Sequence, residues 1–208
     1  GDVDYHWSKT RGIQYTTYGA PGGYSEFDSY KLRAAPSLGL GIGYLLDNHF
    51  RVDLTGDYWF KANFRGSTSG TCGALPCTST EVSKFSALLL LANAYVEGGD
   101  FHGITPYVGA GLCPSMNRLS AFRDVNIING GGGWAPDGTK WNFAWALHAG
   151  LGIQATERTT IDLGYSWVNL GDAQTGTFYN DDPAFDIAND GFRLKNIRSH
   201  DFKLGVRY

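Results

Sequence analysis

Five histidines are the residues of this 208-residue chain best suited to act as a general base: His6, His49, His102, His148 and His200. Acyl-transfer chemistry needs such a histidine beside a serine and a carboxylate. His49 and His102 fall in short turns, while His6 and His148 alternate with carboxylates, where an ion-paired filler role is the simpler interpretation. His200 lacks a serine and an acid on its own face. We therefore predict no catalytic residue and no enzymatic activity.

Metal and cofactor motifs are not evident either. No cysteine or histidine pair has the spacing of a zinc site. The acidic segment 180–191 misses the EF-hand spacing, so a solvated loop is favoured there and a Ca²⁺ site is the alternative. The glycines at 130–133 precede no GKS or GKT sequence, which indicates a loop tip rather than a phosphate site. We expect neither metal nor cofactor.

The three cysteines indicate an exported protein, although weakly. Cys72 and Cys77 flank four residues in one polar segment, and we expect them to form a disulfide that stabilises this segment by about 2 kcal/mol in the chain-entropy model. Cys113 is left over. A small buried strand residue is its simplest role, and an intermolecular disulfide is the alternative.

Composition limits the class of protein further. The net charge is −3 and no Lys/Arg run occurs, which argues against a nucleic-acid partner. The longest apolar stretch, 87–92, is far shorter than the roughly 20 residues of a membrane-spanning helix. The first residues show neither a basic nor an apolar leader region, so we expect the numbering to start at or inside a mature protein. The length fits one domain.

The elements that must position these residues are strands, because apolar and polar side chains alternate with period two. Between 50 and 65 the even positions are apolar and the odd positions are mostly charged. The register of 83–97 stays open because both of its faces are apolar. The other predicted strands cover about 3–7, 38–44, 104–113, 141–154, 160–167 and 201–208.

Short and long connections alternate between these eight strands. The short turns lie at 47–48, 98–100 and 157–158, and the long polar loops at about 10–29, 66–80, 120–139 and 172–191. This rhythm is typical of an outer-membrane barrel. We predict an all-β fold in which residues 1–208 form one domain, an eight-stranded antiparallel up-and-down transmembrane β-barrel.

The two faces of the strands differ in a way that favours lipid outside and charge inside. A lipid-facing barrel puts apolar side chains outward, whereas a soluble barrel puts them inward. The polar face carries glycines and opposite charges that suit a narrow lumen, and tyrosines and tryptophans near strand ends suit membrane interfaces. The predicted lumen ion network comprises Arg33, Arg51, Asp53, Asp57, Lys61, Asp162, Lys203 and Arg207.

This orientation predicts a bacterial outer-membrane protein with extracellular loops and both termini in the periplasm. Lys9, Lys84, Arg118 and Arg198 then face outward near the outer strand ends. We expect them to contact lipopolysaccharide phosphates, with simple snorkelling as the alternative. An eight-stranded barrel is just wide enough to be filled by its own side chains, so a plugged interior is expected, with a narrow porin as the alternative.

Four segments carry a family resemblance: TPYVGAGLC at 105–113, FAWALHAGLGIQAT at 143–156, TIDLGYSWVNLGD at 160–172 and SHDFKLGVRY at 199–208. They resemble the opacity-type, porin-like outer-membrane proteins, in particular the alphaproteobacterial major surface-antigen branch. The resemblance implies eight-stranded barrels without known catalysis that serve envelope integrity, surface antigenicity and host contact. Cys113 departs from the small residue, such as glycine, expected at that position.

The resemblance also sets the expected function and partners. The alternating C-terminal strand ending in Tyr208 resembles the signal read by the outer-membrane assembly machinery. We predict a structural and surface-antigen protein that acts through its extracellular loops among outer-membrane lipids. A narrow porin is the alternative and a lipid A-modifying enzyme is less favoured. A homo-oligomer or another envelope partner is left open.

Overall fold

The fold consists almost entirely of antiparallel strands. The computed structural model describes residues 1–10, 12–15, 27–47, 49–72, 75–126, 131–186 and 190–208. No helix within these ranges is long and apolar enough to cross a bilayer. The strands are β1 (Asp2–Lys9), β2 (Gly12–Tyr15), β3 (Phe27–Leu32), β4 (Ala35–Leu45), β5 (Phe50–Cys72), β6 (Leu75–Glu97), β7 (Ile104–Asn126), β8 (Gly132–Ala135), β9 (Gly138–Thr156), β10 (Thr159–Gln174), β11 (Tyr179–Asn180) and β12 (Phe192–Arg207), with a 3₁₀ turn at Pro183–Phe185.

Eight of these strands close into a ring. Its order is β7-β6-β5-β4-β1-β12-β10-β9, and β9 pairs with β7 to complete it. The predicted antiparallel, all-β architecture is confirmed, but the described residues form a sheet of twelve strands rather than eight. The extra strands arise because β2 continues β1 along β12, β3 precedes β4 along β5, and β8 and β11 pair beyond the ring.

The two ends of the ring differ. The short turns predicted at 47–48, 98–100 and 157–158 lie between β4 and β5, β6 and β7, and β9 and β10; we call this the turn end. The Asp47 carboxylate accepts hydrogen bonds from the backbone N–H groups of His49 and Phe50, which hold the pKa of Asp47 below its usual range. The opposite end carries the long hairpins; we call it the hairpin end.

Two of the predicted long loops are largely strand. Within segment 66–80, β5 extends to Cys72, β6 begins at Leu75, and the two strands pair with each other. Segment 120–139 contains the end of β7, β8 and the start of β9. The alternation rule misses these extensions because serines, threonines and charged residues replace the apolar outward face. Backbone pairing does not need a lipid-facing side.

A β-bulge in β5 corrects the predicted faces beyond Trp59. Trp59 pairs with Ala87 and Ala62 with Phe85, so β5 has one more residue than β6 here. Such a bulge shifts the alternation by one position. Lys61 is therefore exposed on the outer wall, and the prediction that it belongs to the lumen network is wrong.

Arg33 is the second misplaced lumen residue. It lies between β3 and β4, where the strand is interrupted, and its side chain is exposed. Its backbone N–H donates to the carbonyl of Asn63 at 2.9 Å, which keeps the interrupted segment against β5. The break cancels the alternation from which an inward side chain was predicted.

Exposed apolar side chains surround the ring between the turn end and the bulge. Leu40, Ile42 and Phe143 are 70% or more exposed. Soluble monomeric proteins rarely expose large contiguous apolar surfaces. We call this surface the apolar belt. Its members are Tyr5, Leu38, Leu40, Ile42, Tyr44, Phe50, Val52, Leu54, Tyr58, Leu90, Val96, Val108, Leu112, Trp141, Phe143, Leu147, Leu151, Ile161, Leu163, Tyr165, Phe202, Leu204 and Val206.

The interior changes character along the ring axis. At the hairpin end, Phe64, Phe85, Leu119 and Phe192 are at most 1% exposed and form an upper core. The Phe64 and Phe192 ring centroids are 5.2 Å apart, and Phe122 stacks on Phe192 at 4.7 Å. Toward the turn end, ionised and amide side chains replace this apolar packing.

Candidate functional site

The polar interior is organised by Arg51, which β5 points into the ring. The Arg51 guanidinium donates from Nε to Glu97 Oε1 at 2.8 Å and from Nη1 to Asp53 Oδ2 at 2.7 Å. It also lies 3.8 Å from the centroid of the Tyr95 ring. Alternation puts Glu97 on the inward face of β6, a signal that the sequence prediction did not use.

Arg207 extends this network to the far wall. Its Nε donates to Asp162 Oδ2 at 2.6 Å and its Nη1 to Glu97 Oε1 at 3.1 Å. Glu97 therefore links the Arg51 and Arg207 pairs, which belong to four different strands. Charge-assisted bonds between buried side chains hold the ring walls at a fixed distance from one another.

A second group of carboxylates lies around Lys203. Lys203 forms an ion pair with Asp2, and one oxygen each of Asp2, Asp4 and Asp57 lies within 4.8 Å of the others. With the Arg51 network, six of the eight predicted lumen residues face the interior: Arg51, Asp53, Asp57, Asp162, Lys203 and Arg207.

The inward histidine His148 is held by neutral partners. His148 contacts Ser166 Oγ through Nδ1 at 2.7 Å and Asn93 Oδ1 through Nε2 at 3.1 Å. Asn93 in turn donates to Asp53 at 2.7 Å. The serine and histidine are close enough for proton transfer, but an amide, not a carboxylate, bonds the second ring nitrogen.

The other two strand histidines differ in environment. His6 is fully buried and stacks on Trp59 with a centroid distance of 4.1 Å. His200 is exposed on the outer wall, where its Nδ1 lies 2.6 Å from the Tyr165 hydroxyl. His6 therefore lies inside the ring, and His200 lies on its outer wall.

The four basic residues chosen as lipid contacts all lie on the outer wall. Lys9 is the register partner of Arg198, and the Arg198 guanidinium carbon lies 5.4 Å from the Trp167 ring. Lys84 is exposed on β6. Arg118 bonds Asp137 at 2.8 Å and thereby lowers the pKa of that carboxyl. Contact with lipid phosphates stays a prediction.

The predicted Cys72–Cys77 disulfide involves side chains outside the described residues. The backbone register pairs Cys72 with Leu75 and Cys77 with Gly70, so the cysteines are diagonal neighbours. Diagonal residues are about 7–8 Å apart, whereas disulfides need Cα separations of roughly 4.4–6.8 Å. This register does not support the bond. Cys113 is a buried free thiol in β7, in the small-residue role expected for it.

Comparison with known proteins identifies related proteins in alphaproteobacteria. No protein-family model matches it. An uncharacterized protein of Brucella suis is 30% identical over 201 residues, which cover 83% of this chain and 68% of the relative. The chain belongs to the family of this Brucella protein. A protein of Rickettsia canadensis that is named as a candidate adhesin is 31% identical over 72% of this chain and 66% of its own length. The chain spans 56% of a Brucella abortus relative.

Solved structures show the same fold. Neisserial surface protein A matches with a TM-score of 0.54 and 16% identity, covering 99% of this chain and 92% of that one. The outer membrane protein OprG of Pseudomonas aeruginosa matches with a TM-score of 0.53 and 14% identity, covering 99% and 94%. The chain therefore has the fold of outer-membrane β-barrel proteins.

Proposed function

We propose that the protein is an integral outer-membrane surface protein that stabilises the envelope and contacts other surfaces through its hairpins, without enzymatic activity. The apolar belt carries this proposal, because so much exposed apolar area requires a hydrocarbon solvent. The closed ring supports it further, since every backbone polar group in a bilayer must pair within the protein.

The hairpin end supports a role in surface contact. The strands of β5, β6 and β7 run well past the bulge that ends the belt, and aromatic side chains there are accessible. Trp134 and Tyr179 are 45% and 41% exposed, with ring centroids 5.2 Å apart. A contact role also agrees with the family resemblance to opacity-type surface antigens and with the name of the Rickettsia relative.

The proposed orientation places the hairpin end outside the cell and both termini in the periplasm. An epitope inserted between residues 126 and 131 should then be labelled by antibody on intact cells. The same epitope inserted at the 157–158 turn, as the matched control, should be labelled only after the outer membrane is permeabilised. Labelling of the turn epitope on intact cells would contradict this orientation.

Surface contact itself can be tested with the exposed ring pair. Replacing Trp134 and Tyr179 with serine should lower the binding of expressing cells to host-cell monolayers at equal surface amounts of protein. Serine replacements of Leu40 and Ile42 on the belt are unsuitable controls because they disturb insertion, so Tyr30, also exposed beyond the belt, serves as the control site. Unchanged binding by the double variant would remove this pair from the contact surface.

The outward basic residues support lipopolysaccharide as a partner. Lys9 and Arg198 are register partners on the outer wall, and the Arg198 guanidinium lies over the Trp167 ring, near the level proposed for lipid phosphates. The double change Lys9→Gln and Arg198→Gln should reduce the lipopolysaccharide that co-purifies with the protein. Arg158→Gln at the turn end should leave it unchanged. Equal amounts of lipopolysaccharide with the unchanged protein, the double variant and Arg158→Gln would favour simple snorkelling.

The packing of the upper core supports a plugged interior over the porin alternative. Phe64, Phe85 and Phe192 are at most 1% exposed, and the Phe64 and Phe192 rings pack against each other inside the hairpin end, which favours a filled interior. Planar bilayers containing the protein should show no stable single-channel steps. Reproducible steps would favour the porin, and altered lipid A masses in expressing cells would favour the enzyme. The same proposal includes recognition of the C-terminal strand by the outer-membrane assembly machinery.

A further inference from the structure

Besides Oδ1 of Asp162, three carboxylate oxygens in the polar interior lack a hydrogen-bond partner among the described residues. They are Oδ1 of Asp2, Asp4 and Asp57, and these three residues also offer oxygens within 4.8 Å of one another. Asp4 is only 9% exposed and Asp57 4% exposed. A buried carboxylate oxygen without a partner is costly, so a group must compensate these charges.

One basic side chain among the described residues forms an ion pair with this cluster. Lys203 is bonded to Asp2 through the oxygen Oδ2 and leaves Asp2 Oδ1 free. Asp4 accepts no hydrogen bond from any described residue, and Asp57 accepts one through Oδ2, from the Thr55 hydroxyl at 3.3 Å. One ammonium group therefore faces three carboxylates, which leaves an excess of negative charge.

The backbone between these residues makes room for the free oxygens. Gly39 is the register partner of Asp2 on one side and of Asp57 on the other. A side chain at position 39 would occupy the place where Oδ1 of both carboxylates lies. The two unpartnered oxygens thus converge over a glycine, and Asp4, two positions further along β1, adds the third.

We propose that Asp2, Asp4 and Asp57 bind a hard divalent cation, Ca²⁺ in the first instance, inside the barrel. Oxygen-only ligands are those that Ca²⁺ and Mg²⁺ prefer, and one Ca²⁺ at 2.3–2.6 Å from each oxygen bridges atoms with separations of this size. The ion neutralises the excess charge and ties β1 to β5 across β4. Waters complete its coordination shell, because three carboxylates supply fewer than the usual six to eight oxygens. This site is independent of the proposed surface role.

The test uses the full chain refolded from denaturant into detergent without lipopolysaccharide and freed of metals with a chelator. Titration calorimetry with Ca²⁺ should give one site per chain, and Tb³⁺ should show luminescence on tryptophan excitation that Ca²⁺ displaces. Asp4→Asn and Asp57→Asn should each weaken binding by at least about tenfold, the loss that even outer-shell partners cause. Mg²⁺ in place of Ca²⁺ identifies which ion the site prefers.

Asp53→Asn is the matched control, because both oxygens of this inward carboxylate are satisfied by Arg51 and Asn93. It should bind Ca²⁺ like the unchanged protein. If the variants fail to fold, the Ca²⁺ and Tb³⁺ titrations of the unchanged protein decide alone. Absence of saturable Ca²⁺ and Mg²⁺ binding would overturn the proposal in favour of shared protons, as would full binding by the Asp4→Asn, Asp57→Asn double variant.

Discussion

Arg51 shows how a single residue stabilises the interior of the ring. Its guanidinium satisfies carboxylates from β5 and β6 and stacks on Tyr95, while Glu97 passes the interaction on to Arg207. Removing one charged partner from such a buried network leaves the remaining charges uncompensated. Exposed pairs such as Arg118–Asp137 are screened by solvent instead.

Replacing Arg51 with glutamine should therefore destabilise the protein by about 3–5 kcal/mol. Arg51→Lys should recover only part of this, since an ammonium cannot donate in the two fixed directions of the guanidinium. The measurement is urea unfolding in lipid vesicles followed by tryptophan fluorescence. Arg118→Gln is the control and should cost less than about 1 kcal/mol. Equal losses for Arg51→Gln and Arg118→Gln would show that the inner network is not stabilising.

At the scale of elements, the β5 bulge decides which side chains face lipid and which face the interior. Phe60 and Lys61 are both exposed, after which Ala62 and Phe64 are buried. Alternation could predict the belt because hydrocarbon imposes it on every strand. It could not locate the bulge, since Ala62 and Phe64 continue the apolar series on the face predicted to be outward.

Deletion of Lys61 should be tolerated, because it removes the extra residue of the bulge. The side chains of β5 before and after the deletion then keep their present faces. Deleting Thr55, in the middle of the belt, should instead turn every following side chain to the wrong face. Heat-modifiable migration on SDS gels distinguishes folded from unfolded barrels. We expect the folded band for the Lys61 deletion and its loss for the Thr55 deletion. The opposite pattern would place the bulge elsewhere.

The β5–β6 hairpin also carries an acid that links its stability to pH. Glu81 is fully buried beyond the belt, opposite Asp124. Burial raises the pKa of Glu81 to about 7 from its ordinary value of 4.5, a hydrogen bond from Thr68 opposes this shift, and the Asp124 charge adds to it. The folded hairpin thus binds more protons than the unfolded one between these values, so it loses stability as pH rises from 4.5 to 7.

Glu81→Gln should abolish this slope and slow amide hydrogen exchange in 66–69 and 79–82 at pH 8, once intrinsic exchange rates are corrected. Glu157→Gln, an exposed acid at the turn end, should leave the slope unchanged. A Glu81→Gln protein with the slope of the unchanged protein would mean that Glu81 ionises normally.

At the scale of the whole molecule, the belt defines how deeply the protein sits in lipid. With its cysteines replaced, a spin label at Leu54→Cys should collide with oxygen dissolved in the bilayer, and one at Thr55→Cys should not. The two sites are adjacent, so the contrast depends only on the face. Similar oxygen accessibility at both sites would contradict the lipid-facing belt.

Sequence reasoning predicted the ring, its apolar outer face and its charged interior, because lipid imposes the same alternation of side chains on all eight strands of the ring. It recovered six lumen charges for the same reason, and it misplaced Arg33 and Lys61 where a strand break or a bulge interrupts the rule. The extended hairpins were missed because water imposes no rule on their outward side chains. The Asp2, Asp4 and Asp57 cluster depends on how β1, β4 and β5 align, which no single segment encodes.

The interior is packed with apolar side chains at the hairpin end and lined by charged side chains toward the turn end. Gly41 and Gly43 are exposed near the turn end, whereas Phe64 and Phe192 are buried near the hairpin end. A cation at the proposed Asp2, Asp4 and Asp57 site is expected to exchange through the turn end, and a partner that covers this end should slow its binding and its release by the same factor.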